Sequence, residues 1–139
     1  MSPAIVTMSR LLQAEQAGLV RLVTDAGAFV SSARAADRTR VERIADDERE
    51  HERAMAGLIL ERGGSIGPST VPTDAGGLHF LDLCHLLPLL IADERRLIQS
   101  YESAESTGDE RADALIRRIL EDHVRHLAEL DKLHPGSGA

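Results

Sequence analysis

Hydrophobic residues recur along most of the chain at steps of three and four, which is the period of one face of an α-helix. This pattern predicts four helices, over about residues 3–34, 37–62, 78–106 and 110–133. Asp37 is predicted to cap the second helix and Gly63-Gly64 to end it, because glycine accepts the backbone conformation that stops a helix.

The connections between the predicted helices are short, long and short. The long one, residues 63–77, holds five glycines and two prolines and is predicted to be a loop. Short links join antiparallel neighbours, and a long link allows the chain to return along the bundle. The sequence therefore predicts a single all-α domain over residues 1–139, a four-helix bundle with one long crossover between helices two and three. Residues 134–139 are predicted to be a frayed tail.

Near its middle, the apolar stripe of each predicted helix is interrupted by polar residues. These are Glu15 in the first helix, Glu48 and His51 in the second, Glu94 in the third, and His123 and His126 in the fourth. Carboxylates and imidazoles aimed into an apolar bundle are costly unless something pairs them. If the bundle brings them to a common level, one or two divalent first-row metals satisfy several at once, iron or manganese before zinc.

Two five-residue stretches, Asp47–His51 and Asp122–His126, share one pattern. Each has an aspartate, then a metal-capable residue, then a histidine three positions further on. Positions three apart share a helix face, and the aspartate lies on the flank of that face. We therefore expect Asp47 to reach His126 across the bundle and Asp122 to reach His51. Such a carboxylate would accept the free ring N–H and orient the other nitrogen.

Charge and cysteine content exclude several classes of function. The net charge is −7, so there is no basic stripe for nucleic acid. Cys84 is the only cysteine, which excludes an internal disulfide and a Cys-x-x-Cys knuckle. The leucine-rich run over residues 78–91 is interrupted by Asp82, His85 and Pro88 and is not expected to span a membrane. A cytoplasmic protein is the expectation.

The ordered set of polar residues resembles the ferritin-like family of di-iron carboxylate proteins, which includes bacterioferritins and rubrerythrins. That family places a glutamate on helices one and three and a Glu-x-x-His motif on helices two and four. Glu48-x-x-His51 matches the second motif, and the spacing of 33 residues from Glu15 to Glu48 also resembles bacterioferritin. Glu94 with Tyr101 resembles the third helix. Asp93 competes with Glu94 for this position, and pairing with Arg95 or Arg96 in solvent is the alternative for Asp93.

The resemblance implies a non-haem di-iron protein, with manganese or zinc as other possible metals. It would bind metal ions and oxidise Fe(II) with dioxygen or peroxide, as a ferroxidase or as a peroxide-reducing oxidoreductase. The implied metal ligands are Glu15, Glu48, His51, Glu94, His123 and His126. Residues expected to contact these ligands without binding the metal are Asp47, Asp122 and Tyr101. Family resemblance also implies a homodimer, for which Leu60, Val20, Val23 and Val30 are the expected patch.

Two positions depart from the family pattern. His123 stands where the family has a glutamate that bridges the two metals, so a negative charge and a bridge are expected to be lost. The site then holds a differently bridged pair, a single metal, or none. Arg49 stands where bacterioferritin has its haem-ligating methionine, so haem is not expected. The competing hypothesis, favoured by His123, is a structural or partner-binding bundle whose metal site has degenerated.

Overall fold

The computed structural model describes residues 2–20, 35–68 and 83–133. Within these ranges the chain forms α1 (Pro3–Gln16), α2 (Ala35–Glu61), α3 (Leu83–Glu102) and α4 (Glu110–Leu133), and no strand. Helix α1 packs beside α2 and α3, and α4 packs beside the same two helices. Helix α2 ends and α3 begins at opposite ends of the bundle, as a single long crossover requires. The predicted four-helix bundle is confirmed.

The first predicted helix is interrupted two residues after its buried glutamate. Helix α1 begins with Ser2, whose side chain accepts the N–H of Ile5 at 3.3 Å, and with Pro3 in its first turn. It ends at Gln16, and the chain becomes helical again at Leu19. The prediction of one continuous helix over residues 3–34 was therefore wrong at residues 17–18. Residues 21–34 lie outside the described part.

The other helix ends follow from local chemistry. Helix α2 already includes Asp37 in its first turn, so the prediction that Asp37 is the cap was wrong. Its end is as predicted: Gly63 has φ +85°, and the N–H of Gly64 bonds to the carbonyl of Ile59 at 2.9 Å. Helix α4 is capped by Asp109, whose carboxylate accepts backbone N–H groups of the first turn.

Helix α3 is described from Leu83 and runs through Pro88, which is exposed. The predicted start at residues 78–82 lies outside the described residues. The helix ends at Glu102, four residues earlier than predicted. Residues 69–77 of the predicted loop and the predicted tail 134–139 lie outside the described residues.

Two apolar clusters fill the two ends of the bundle. The cluster at one end contains Val20, Val41, Ile44, Ala45, Leu86, Leu87, Leu90, Ile91 and Leu130. The cluster at the other end contains Ala4, Ile5, Met8, Leu11, Leu12, Met55, Leu58, Ile59, Tyr101, Ala112, Ile116 and Ile119. Burial of this aliphatic surface is the main source of stability. The polar residues singled out in the sequence lie between the two clusters.

Two surface properties bear on the earlier expectations. No helix among the described residues is both long and apolar enough to cross a membrane. The expected dimer patch is not formed as predicted, because Val20 is fully buried in the core although Leu60 is 57% exposed. Val23 and Val30 lie outside the described residues, and the homodimer stays a prediction.

Candidate metal centre

Six charged or titratable side chains are buried together at mid-height in the bundle. Each is at most 1% exposed: Glu15, Glu48, His51, Glu94, His123 and His126. They come from all four helices, and they are the six residues that the sequence singled out as ligands. The structure therefore brings the predicted set together, whereas ligation itself remains a prediction.

The two Asp-containing stretches pair across the seam between α2 and α4. The ring Nε2 of His51 donates to Asp122 Oδ2 at 2.8 Å, and Nε2 of His126 donates to Asp47 Oδ2 at 2.8 Å. Both contacts were predicted from the position of the aspartates. In His51 the donated proton lies on the outer nitrogen, so Nδ1 points inwards, 3.5 Å from Glu15 Oε1. That is the orientation that a metal-ligating histidine requires.

His123 lies at the centre of the cluster, between two carboxylates. Its Nε2 is 2.5 Å from Glu15 Oε1, and its Nδ1 hydrogen-bonds to Glu94 Oε1. The same Nδ1 is 3.8 Å from Glu48 Oε2. Glu94 Oε1 is also 3.3 Å from Nδ1 of His126. One imidazole therefore links α4 to the carboxylates of α1 and α3.

Tyr101 supports the cluster from the apolar side. Its ring is 2% exposed, and its O–H donates to Glu15 Oε1 at 2.7 Å. Burial, reinforced by the charge of Glu15, raises the pKa of Tyr101 above its usual value, so the hydroxyl keeps its proton. The contact fixes one oxygen of Glu15 and leaves the other free.

Several buried polar atoms in the cluster have no hydrogen-bond partner in the described structure. They are Glu15 Oε2, both carboxylate oxygens of Glu48, Glu94 Oε2 and His51 Nδ1. Orphaned buried polar atoms are rare in proteins and carry a desolvation cost. Carboxylate oxygens and imidazole nitrogens are the donors that iron, manganese and zinc accept. The residues present therefore fit a metal ion.

The ligand atoms fall into two groups. One comprises Glu48, Glu94, His123 and His126, and the other comprises Glu15, His51 and His123. Within each group, one ligand atom from every residue lies within 4.8 Å of all the others. His123 is the member that the two groups share.

In the absence of metal, the charges of the buried glutamates and histidines are only partly balanced. Burial opposes ionisation of Glu15, but its contacts with His123 and His51 outweigh burial and hold its pKa at about 2. Burial likewise opposes the charged form of His123, but Glu15 and Glu94 raise the pKa of His123 to about 10. Burial, with the nearby charges of Glu94 and Glu15, raises the pKa of Glu48 well above its usual value. Glu48 is thus the carboxylate of the three whose negative charge the protein compensates least.

Two residues that shape the site were not identified as doing so from the sequence. Asp93 pairs with Arg96 at 2.9 Å, as its alternative reading expected, but its second oxygen accepts the N–H of Leu19 at 2.8 Å. It therefore caps the helical segment that follows the break. Gly18 lies at that break, where an added Cβ would be 2.9 Å from the carbonyl of Glu15 and 3.6 Å from Glu48 Oε1. The signal in the sequence was Gly18 itself, because a glycine weakens a helix locally.

Comparison with known proteins gives one family. The family model described as the ferritin-like domain matches residues 38–134. These include α2 from its fourth residue, α3 and α4, with their Glu48, His51, Glu94, His123 and His126. The matched segment does not include α1 or its Glu15. No match was found among curated proteins or among solved structures.

Proposed function

The chain belongs to the ferritin-like family, and from that premise we propose that it is a non-haem iron protein that binds two metal ions and oxidises Fe(II) with dioxygen or peroxide. Membership of the family and the buried carboxylate and histidine groups fit iron handling in general. The observation that carries the proposal is the set of buried, partnerless carboxylate oxygens of Glu15, Glu48 and Glu94. A cation is the partner that satisfies them together.

Each part of the site has a defined task in this proposal. Glu48, Glu94 and His126 would hold one ion, Glu15 and His51 the other, and His123 lies between them. When bound, iron supplies the electrons, since two Fe(II) ions becoming Fe(III) deliver the two electrons that, with two protons, reduce peroxide to water. The sequence has no Cys-x-x-Cys motif, so electrons other than those of Fe(II) itself would come from an external donor.

The surrounding residues orient the ligands and exclude water. Asp47 and Asp122 hold the outer nitrogens of the two flanking histidines, and Tyr101 holds Glu15. The apolar clusters above and below shield the centre from solvent. The side chains of Asp47 and Asp122 are 47% and 23% exposed, so the hydrogen bonds of both flanking histidines reach the surface along the α2–α4 seam.

Anaerobic titration with Fe(II), followed by addition of dioxygen or peroxide, tests the proposal. We expect stoichiometric uptake of Fe(II), then formation of Fe(III) detected by absorbance. Glu94→Gln should weaken uptake, whereas Glu102→Gln, an exposed glutamate at the end of the same helix, should not. Wild-type protein that takes up no Fe(II), or that takes it up without faster oxidation than free iron, contradicts the proposal.

A second function is favoured by one observation, the double engagement of His123 by Glu15 and Glu94. A protonated His123 hydrogen-bonds to two carboxylates and offsets one of their two charges without any metal, so the bundle would serve as a structural or partner-binding module. This candidate predicts no increase in melting temperature with Fe(II), Mn(II) or Zn(II). A ligand that binds only the folded state raises the melting temperature. An increase with any of these metals would therefore favour the metal-binding function over the structural one.

A further inference from the structure

His123 presents its two ring nitrogens to two different sets of candidate ligands. Its Nδ1 faces the carboxylates of Glu94 and Glu48, and these group with His126. Its Nε2 faces Glu15, which groups with His51. The ring nitrogens lie on opposite edges of the imidazole, so this one side chain reaches both groups.

The position of this ring is tightly defined. His123 is fully buried, and its centroid lies 5.1 Å from that of His51 and 5.6 Å from that of His126. The ring of Tyr101 packs on it at 5.4 Å. A ring held between three other rings has little freedom to turn away from either group. The double contact is therefore a property of the packing.

We propose that His123 bridges the two metal ions, an inference that rests on the proposed function. Its Nδ1 would bind the ion held by Glu48, Glu94 and His126, and its Nε2 would bind the ion held by Glu15 and His51. The imidazole would then stand in for the bridging carboxylate that the family resemblance leads one to expect. Histidine at position 123 in place of the family's glutamate would then exchange a carboxylate bridge for an imidazole bridge, and the bridge would not be lost.

The charge count agrees with this role. Two divalent ions carry four positive charges, whereas Glu15, Glu48 and Glu94 supply three negative ones. An imidazole that binds metal through both nitrogens has lost both N–H protons and carries one negative charge, which completes the balance. A neutral total matters because net charge in a buried, water-poor site is costly.

Mn(II) is a suitable probe, because neighbouring Mn(II) ions that share a bridge give an electron paramagnetic resonance signal with narrower hyperfine splitting than isolated ions. Metal-free wild-type protein should bind two Mn(II) per chain and give the coupled signal at low temperature. A single Mn(II) per chain, or two that remain magnetically independent, overturns the bridge.

Three variants separate bridging from ordinary ligation. His123→Gln should abolish the coupled signal. It should also lower the affinity for the second Mn(II) at least about tenfold, the lower end of the loss in metal affinity when a group that supports a metal site is removed. His123→Glu should restore a bridge and the coupled signal. His51→Gln is the matched control, because His51 belongs to only one of the two ligand groups. This variant should retain one ion in the group of Glu48, Glu94 and His126. A coupled pair that persists in His123→Gln contradicts the proposal.

Failure of the bridge and failure of the proposed function give different results. If the wild type binds no Mn(II), Fe(II) or Zn(II), both fall. If it binds two ions and His123→Gln binds them equally well, the metal protein stands and the bridge falls. Circular dichroism identifies any variant that does not fold, and in that case the wild-type resonance signal decides alone.

Discussion

Asp122 on α4 accepts a hydrogen bond from Nε2 of His51 on α2 over 2.8 Å, and this contact determines which nitrogen of His51 faces the buried cluster. Asp47 does the same for His126 from the opposite helix. The two contacts cross the same seam in opposite directions, because α2 and α4 are antiparallel and carry the same Asp-to-His spacing. Each aspartate is thus a positioning residue for a histidine on the other helix.

Removal of Asp122 is predicted to weaken metal binding without removing a ligand. In Asp122→Ala the ring of His51 loses the acceptor that fixes its tautomer, so affinity for Fe(II) or Mn(II) should fall about 10- to 100-fold. Competition with a chromophoric chelator measures this change. Asp46→Ala is the matched control, since Asp46 pairs with Arg49 at 2.9 Å on an exposed surface. Equal affinities in the two variants would contradict the positioning role.

Glu48→Gln is predicted to stabilise the metal-free protein while weakening metal binding. Both oxygens of Glu48 are buried without a partner, and its carboxylate lies near those of Glu94 and Glu15. A neutral amide relieves the repulsion and gains N–H donors, so the free energy of unfolding should rise by about 1–2 kcal/mol. Urea unfolding of metal-free protein measures it.

The control for this prediction is Glu50→Gln, which changes an exposed glutamate on the same helix. It should alter neither stability nor metal affinity by a measurable amount. Should Glu48→Gln destabilise the metal-free bundle, then Glu48 has a stabilising partner and the case for a cation at this position is lost.

The buried hydrogen bond from Tyr101 to Glu15 is predicted to stabilise the fold. Tyr101→Phe removes a donor at 2.7 Å from a carboxylate whose pKa is about 2, and hydrogen bonds to charged groups contribute about 1.5–3 kcal/mol. A double-mutant cycle with Glu15→Gln, followed by urea unfolding, isolates the pairwise energy. Additive effects would show that the two groups do not interact appreciably.

Acid stability is predicted to depend on the pair between Arg62 and Asp109, which links the end of α2 to the start of α4 at 2.5 Å. The hydrogen bond from Arg62 lowers the pKa of Asp109 from 3.8 to about 2. A lowered carboxyl pKa adds stability above its unfolded value, and this stability is lost as the pH falls from about 4 towards 2. Arg62→Gln should therefore lower the melting temperature at neutral pH and reduce its fall between pH 4 and pH 2.

Arg117→Gln, which removes an exposed arginine from α4, is the control and should leave the acid profile of the wild type unchanged. The pair is exposed, so a moderate effect that weakens with added salt is expected. An acid profile of Arg62→Gln that parallels the wild type would contradict the coupling.

Much of this site could be predicted from the sequence because helical periodicity is a local property. Spacings of three and four residues placed Glu48 with His51, and His123 with His126, on core-facing stripes, and the structure buries all four. The break at residues 17–18 was missed, since one of its contacts is non-local: Asp93 on another helix supplies the acceptor for the N–H of Leu19. The close approach of Gly18 to the backbone of Glu15 is local, but a single glycine is also tolerated inside a helix and does not by itself mark a break.

By itself, the sequence determined the four main helical segments and which polar residues lie on their core-facing stripes, because side-chain direction in a helix follows from residue number. Only the tertiary structure decided that these residues meet at one level and how the imidazole of His123 lies among the carboxylates. Which ring nitrogen faces Glu15 and which faces Glu94 depends on side-chain rotation and on packing by three other helices, and no spacing along one helix encodes that.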